Sequence, residues 1–457
     1  MGTSSSSGRR GSQGSGEADA APEPSNGQEA EGISALPESL SQGYEELVNA
    51  IIRPPRMSYE PERDLGPDKF AISGRRFVRK DVELANSRGH KLACSWWKID
   101  PKDTPAEQMP CVIYLHGNAG CRLAAHELLW HLLPSSISVF ALDFSGSGMS
   151  GGEFVSLGFF EREDVAAVID YLRNSGEVST VGLWGHSMGA VTALLYGDRD
   201  PSIAGMVLDS AFADLMQLIN ELGQNFRDQI PLPGFAISVA VGMIRRSVRR
   251  RANFDPREVN PLANCVQSFI PALFAHGEKD SFIKPSHSEQ LHNAYAGDKN
   301  LVLFDGDHNS ARPDFLFDSA VIFLRQTLGV KDEHCLDRNS PTNGGMSFDR
   351  NVFRSAAVAV RHSEEEMMRQ AMMHSIVDAT RRSNEAPQVE LSVEAVRSGV
   401  STFQDFTGIG GSPALYYVEG ALSHGGTVED AIRQYFDCEC APPPSGWKPR
   451  VPEVLAM

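Results

Sequence analysis

A serine hydroxyl becomes a useful nucleophile only when it is exposed, aimed and paired with a base. Residues 180–196 offer that arrangement. An apolar run, Thr180-Val181-Gly182-Leu183-Trp184, leads into Gly185-His186-Ser187-Met188-Gly189 and then into the small-residue stretch Ala190 to Tyr196. The pattern predicts a buried strand, a tight turn with Ser187 at its apex, and a helix. So sharp a turn strains the Ser187 backbone and tolerates only glycine-sized neighbours. It also sets Ser187 at a helix N-terminus, where the Met188 N–H points at developing negative charge. The implied chemistry is attack on an acyl carbonyl. In a chain with 41 glycines among 457 residues the pentapeptide alone is weak, and an ordinary strand–turn–helix is its competing reading. The flanking strand and helix give it weight.

Two more residues complete such chemistry. Asp280 follows the run Pro271 to Ala275 and the loop His276-Gly277-Glu278-Lys279, and His308 follows Asn300 to Phe304 and Asp305-Gly306-Asp307. Both lie past the C-terminal end of a predicted strand, where an α/β sheet carries its site. The order Ser, Asp, His along the chain agrees. The expected roles are that His308 takes the Ser187 proton and returns it to the leaving group. Asp280 would hold the imidazole tautomer and stabilise its cation. Asp305 and Asp307 are rival acids, although a direct neighbour rarely reaches across its own histidine. The glycine-rich loop 116–120 follows the buried run Cys111 to Leu115 and is expected to supply a second oxyanion donor, the Asn118 N–H, beside that of Met188. His116, His186, His276 and His287 read as structural. The loop Asp143 to Gly148 lacks a full G-x-G-x-x-G opening a helix, which argues against nucleotide binding.

These residues need rigid supports. Apolar runs at 111–115 and 138–142, with that at 180–184, predict buried strands, as expected of a sheet covered on both faces, and further strands are expected over 203–208, 271–275 and 300–304. Two runs of strand character, 76–86 and 90–99, come before them and are joined by a Ser-Arg-Gly turn. A covering helix is expected over 161–172, and a short amphipathic one over 36–52, ended by Pro54-Pro55. Residues 212–263 break the alternation and read as a helical lid over the strand ends. Within it, an apolar stretch from Phe235 to Ile244 precedes five arginines between 245 and 251. That segment could instead lie on an acidic membrane.

Residues 70–326 resemble the α/β-hydrolase superfamily, close to its serine-aminopeptidase-like group. The resemblance rests on His-Gly-Asn-Ala-Gly at 116–120, Asp-Phe-Ser-Gly-Ser-Gly at 143–148, Gly-His-Ser-Met-Gly at 185–189, Asp280 and Gly306-Asp-His308. It implies an α/β fold with a mostly parallel eight-stranded sheet, helices on both faces and a helical lid, and a serine hydrolase using Ser187, Asp280 and His308. No cofactor and no metal are expected. Members cleave esters, thioesters, lipids and amides, and nothing in this chain is shaped to grip a free α-amine.

The remainder divides by composition. Residues 1–36 are a Ser, Gly, Ala, Pro and Glu-rich tail that cannot bury enough surface to fold. Gly2 fits the N-myristoylation pattern, and one acyl chain gives only reversible membrane attachment. The hydrolase domain is expected over 37–328, with a linker over 329–362 and a last tail over 438–457. Over 363–382, Ser363 and Glu366 form a capping box, Glu364, Glu365 and Glu366 make an acidic start, and Met368, Ala371, Met372 and Ser375 share one face before Asp378. This segment resembles the ubiquitin-interacting motif. Residues 393–437 resemble a UBA-like three-helix bundle. Both resemblances imply ubiquitin as a partner, and tandem sites would gain avidity.

The charge of −17, from 59 acidic and 42 basic residues, argues against nucleic acid. Seven scattered cysteines without zinc spacing fit a reducing, cytoplasmic setting. Two alternatives follow from the same residues: a membrane-associated depalmitoylase-like thioesterase or lipase, and a non-catalytic ubiquitin-binding adaptor.

Overall fold

The computed structural model describes residues 48–49, 51–227, 234–336, 392–407 and 411–423, with isolated positions 428, 431, 443 and 447–450. Its centre is one nine-stranded sheet in the order β1-β2-β3-β5-β4-β6-β7-β8-β9. The strands are β1 (Lys69–Ile72), β2 (Arg75–Ala85), β3 (Lys91–Ile99), β4 (Met109–Leu115), β5 (Ser138–Leu142), β6 (Val178–His186), β7 (Gly205–Asp209), β8 (Ala272–Gly277) and β9 (Lys299–Phe304). The first three and the β3–β5 contact are antiparallel. From β5 to β9 every pairing is parallel. Nine strands replace the eight expected. The extra one is β1, only four residues long and paired to β2 from Lys69↔Val78 to Ile72↔Arg75. So short a segment leaves too little alternation for the sequence to display.

Among the parallel strands, β9, at the sheet edge, buries only Phe304 and departs from the apolar-strand expectation. By contrast, β4, β5, β7 and β8 are buried from end to end and β6 from Val181 onward. Their side chains alternate between two cores. Cys111, Ile113 and Leu115 face the helices α2 (Glu161–Asn174), α3 (Met188–Gly197) and α6 (Pro285–Ala294), where Val168, Leu194 and Leu291 belong to the same cluster. Val112 and Tyr114 face α1 (His126–Leu132) and α7 (Asp314–Thr327), with Leu128, Phe317 and Leu324. Each such side chain contributes about 1.5–3 kcal/mol by leaving water. Helices on both faces are what a sheet of this kind requires.

The segment expected as a lid contains α4 (Leu215–Arg227) and α5 (Gly234–Ala252). Ile244, Val248 and Ala252, one helical turn apart, are buried in the main core. The basic end of α5 is divided. Arg245 turns inward and grips Asp255 through Nε at 2.9 Å and Nη2 at 2.7 Å, whereas Arg246, Arg249 and Arg250 are exposed. Asp255 has a structural duty as well, since it closes a capping box with Glu258.

Further along, α8 (Val393–Thr407) and α9 (Gly411–Leu422) pack through Val396, Phe403, Leu415, Tyr417 and Val418. The Phe403 and Tyr417 rings stack with centroids 6.0 Å apart. Gly399 permits this approach, because a Cβ there would lie 2.7 Å from Val418 Cγ1. Of the third helix expected in a bundle, only Val428 and Ala431 are described, both helical, with Ala431 buried against the pair. Gly2, the acidic residues Glu364, Glu365 and Glu366, and Met368, Ala371, Ser375 and Asp378 lie outside the described residues. No helix among the described residues is long and apolar enough to cross a membrane.

Candidate active site

The strand order reverses between β4 and β6: the chain goes from β4 outward to β5, then returns past β4 to β6. Sheets of this type open a crevice at the strand ends beside that reversal. Ser187 stands there, directly after β6, in backbone space with φ 51° and ψ −118°. The turn is this tight because both flanking glycines lack a Cβ. A Cβ on Gly185 would lie 2.3 Å from the Gly189 carbonyl, and one on Gly189 only 2.0 Å from the Leu115 oxygen. The Ser187 N–H is anchored by the Asp209 carbonyl at 2.8 Å. Met188 then opens α3, whose first N–H groups have no partner within the helix.

His308 and Asp280 converge on Ser187. The Nε2 of His308 is 3.0 Å from Ser187 Oγ, and its Nδ1 is 2.7 Å from Asp280 Oδ2. All three are nearly enclosed, at 8 %, 4 % and 4 % exposure for Ser187, Asp280 and His308. With Nδ1–H donating to the carboxylate, Nε2 carries the lone pair that can accept the serine proton. Asp280 is held on its other side too, where Oδ1 accepts the N–H groups of Phe282 at 3.0 Å and Ile283 at 2.8 Å. Burial alone would raise its pKa, but the charges and hydrogen bonds of His308 and His276 outweigh that and hold the carboxyl well below its usual range. The ring of His308 is confined by Phe282, edge-on at 5.2 Å, and by His186 at 5.2 Å.

The rival acids have other work. Asp307 Oδ1 accepts the His308 N–H at 2.8 Å and the Ser281 N–H at 3.1 Å, so it braces the loop and leaves the ring alone. Asp305 is paired with Lys279 at 2.6 Å, with both side chains exposed. Asn118 lies in the loop after β4, closed by the Gly120 N–H on the Gly117 carbonyl at 3.1 Å. Leu115 and Gly185 are register partners, so this loop and the Ser187 turn leave the sheet side by side. His116 ties the loop down, with Nδ1–H to the Gly117 carbonyl at 2.7 Å and Nε2 accepting the Phe144 N–H at 3.0 Å. Burial lowers its pKa, which keeps that tautomer neutral.

A family model described as serine aminopeptidase, S33, matches residues 106–231. The uncharacterized protein YqkD of Bacillus subtilis (strain 168) is 30% identical over 251 residues, covering 54% of this chain and 78% of that protein. The chain belongs to the α/β-hydrolase superfamily. This α/β-hydrolase is a serine hydrolase by type. It is also 29% identical over 264 residues to the uncharacterized protein YfhR of Escherichia coli (strain K12), covering 56% of this chain and 80% of that one. The lysophosphatidylserine lipase ABHD12 of Rattus norvegicus is 28% identical over 154 residues, 31% of this chain and 38% of that protein. Among solved structures, an esterase of Pyrococcus furiosus is 22% identical with a TM-score of 0.46, covering 60% of this chain and 98% of that one.

Sequence reasoning passed over several residues in this α/β-hydrolase that touch the site. His276 places Nε2 3.2 Å from Asp280 Oδ2 and 2.8 Å from the Ile283 carbonyl, and Nδ1 meets Ser288 Oγ at 2.7 Å. It supports the acid rather than merely filling the core. Asp209 and Arg312 form a buried ion pair behind the Ser187 turn. The available signal was thin: Asp209 ends a buried strand, as site residues do, but an arginine in a loop reads by default as solvated.

Proposed function

We propose that Ser187 is the nucleophile of an acyl-ester hydrolase, with His308 as general base and acid and Asp280 as the group that orients it. In the first half-reaction Ser187 Oγ bonds to the acyl carbonyl carbon while its proton passes to His308 Nε2. The carbonyl electron pair moves onto oxygen, where the Asn118 and Met188 N–H groups receive it. Collapse of that adduct expels the leaving group, which takes the proton from His308. Water then repeats the sequence on the acyl-serine, giving the acid and the free hydroxyl. The single observation that carries this reading is the relay of 3.0 Å and 2.7 Å contacts from Ser187 through His308 to Asp280. The likeness to a lysophosphatidylserine lipase supports an ester among the acyl substrates, with thioesters and amides in the same chemical class.

A fluorophosphonate probe tests it. Covalent labelling of the wild-type chain, absent from Ser187→Ala, is the expected result, and labelling that survives the substitution overturns the assignment. Nitrophenyl esters of graded acyl length then define the acyl pocket.

We propose further that the region after 362 recruits this hydrolase to ubiquitin. The support is the acidic start at 364–366, the Ala371 and Ser375 spacing and Asp378, beside the packed pair α8 and α9. A ubiquitin pull-down that persists undiminished in Ala371→Gln, Ser375→Ala would refute it. Acylation at Gly2 is tested by flotation with anionic liposomes, expected to be lost in Gly2→Ala.

A further inference from the structure

We propose that Asp209 and Arg312 are positioning residues, a buried clamp that sets the distance between the Ser187 turn and the His308 loop. The inference rests on the reading of Ser187 as nucleophile and extends it. Asp209 ends β7 and pairs in register with His186. Its main chain holds one side of the site, since its carbonyl accepts the Ser187 N–H at 2.8 Å. Its side chain holds the other through Arg312. The guanidinium meets the carboxylate in a fork, Nε to Oδ2 at 2.9 Å and Nη2 to Oδ1 at 2.9 Å.

From that fork Arg312 reaches into the loop that carries the base. Nη2 donates to the His308 carbonyl at 2.8 Å, and Nη1 donates to the carbonyls of Ser310 at 2.7 Å and Asp307 at 3.4 Å. Ser210 Oγ, at 3.2 Å from Nη2, closes the edge. The face of the guanidinium lies 4.9 Å from the centre of the Phe304 ring. Residues 307–310 form no helix or strand, so their carbonyls depend on such donors. His186 Nδ1 stands 3.3 Å from both Asp209 Oδ2 and Arg312 Nη2, and its ring lies against that of His308. The clamp therefore touches His308 from its backbone and, through His186, from its side.

The chemistry of the pair favours a geometric duty. Arg312 is 1% exposed and Asp209 2%. A buried ion pair loses much of its attraction to desolvation, and an apolar pair of similar volume serves a core about as well. An apolar pair could not hold three loop carbonyls. Nor could lysine, whose three donors sit on a single atom, whereas arginine spreads five over a rigid plane.

Steady-state hydrolysis of a nitrophenyl ester, normalised to sites counted by end-point fluorophosphonate labelling, separates positioning from mere stability. A variant that only loses folded molecules lowers the site count and leaves turnover per labelled site unchanged. In Arg312→Lys and Asp209→Asn, turnover per labelled site is expected to fall about tenfold to a hundredfold, with KM within about twofold, as a shift of the order of 1 Å at the reacting atoms would cause. A fall of less than about threefold in both variants overturns the clamp. Failure of the underlying reading looks different: wild type would then show no labelling dependent on Ser187.

Discussion

Asp280 Oδ2 and His308 Nδ1 stand 2.7 Å apart, on two loops that leave neighbouring parallel strands. The contact decides which nitrogen of His308 faces Ser187. In Asp280→Asn the amide keeps the shape, but its NH2 can present a donor to Nδ1 and favour the tautomer with its proton on Nε2. The expected loss is on the order of 10³–10⁴ in kcat with a small change in KM. Saturating ester hydrolysis measures it, and a loss below tenfold would remove Asp280 from the mechanism.

The Ser187 turn has no slack on its Gly189 side. In Gly189→Ala the new methyl would meet the Leu115 oxygen at 2.0 Å, a backbone atom with no side-chain rotation to move it away. Overpacking of this kind costs about 1–3 kcal/mol or more. A lowered urea midpoint together with lost labelling at Ser187 is expected. An unchanged midpoint with full labelling would show that the strand ends can yield.

Acid should weaken the fold before it reaches carboxylates in their usual range. Burial, aided by the Arg79 charge, pushes the pKa of His126 down to about 3 from 6.5, and burial lowers those of His116 and His287. Below pH 6.5 the unfolded chain takes up protons that these rings refuse in the fold, so stability present above 6.5 drains away as pH falls toward 3. Asp164 acts in the opposite sense. Burial raises it to about 6 from 3.8, so the native state retains a proton there and gains stability as pH drops through 6. His90, lowered by burial and by the Arg88 charge, acts with the other histidines, so four groups oppose one. The unfolding free energy from urea denaturation is expected to fall between pH 7 and pH 5, by up to about 1.4 kcal/mol per pH unit for each net proton, and the midpoint with it. His126→Phe should flatten that slope, and a midpoint that rises on acidification would contradict the assignment.

Tyr59 braces the chain just beyond the Asn118 loop. Its hydroxyl donates to Asp143 Oδ2 at 2.7 Å and accepts from Arg122 Nε at 2.7 Å, while the Arg122 N–H donates to Asp143 Oδ1 at 2.7 Å. Tyr59→Phe strips a partner from two buried charged groups. A loss of about 1–3 kcal/mol is expected from urea denaturation. No loss would mean that Asp143 and Arg122 satisfy each other without it.

Much of this was legible in advance because parallel strands buried on both faces must be apolar throughout. The runs at 111–115 and 138–142 mark β4 and β5 almost to the residue; 300–304 marks β9 as closely, although that edge strand buries only Phe304. Ser187, Asp280 and His308 were legible because each follows such a run. The choice of Asp280 over Asp307 needed only the rule that a residue does not easily reach its own neighbour's ring, and Asp307 indeed bonds the His308 N–H instead. What stayed hidden depends on contacts between distant segments. Nothing near Arg312 in the chain says that it meets Asp209, 103 positions earlier. Likewise the division of the arginine run depends on where Asp255 lies, since Arg245 turns inward to grip it while Arg246, Arg249 and Arg250 stay exposed.

The contact between Ser187 and His308 bridges 121 positions. At about 5–20 residues per second on a ribosome, the hydroxyl is made roughly ten seconds before the imidazole proposed as its base. During that interval it is an alcohol without that partner, and a weak nucleophile. On the proposed reading potency arrives only when β9 has docked, so a product terminated before it would be inert rather than unregulated.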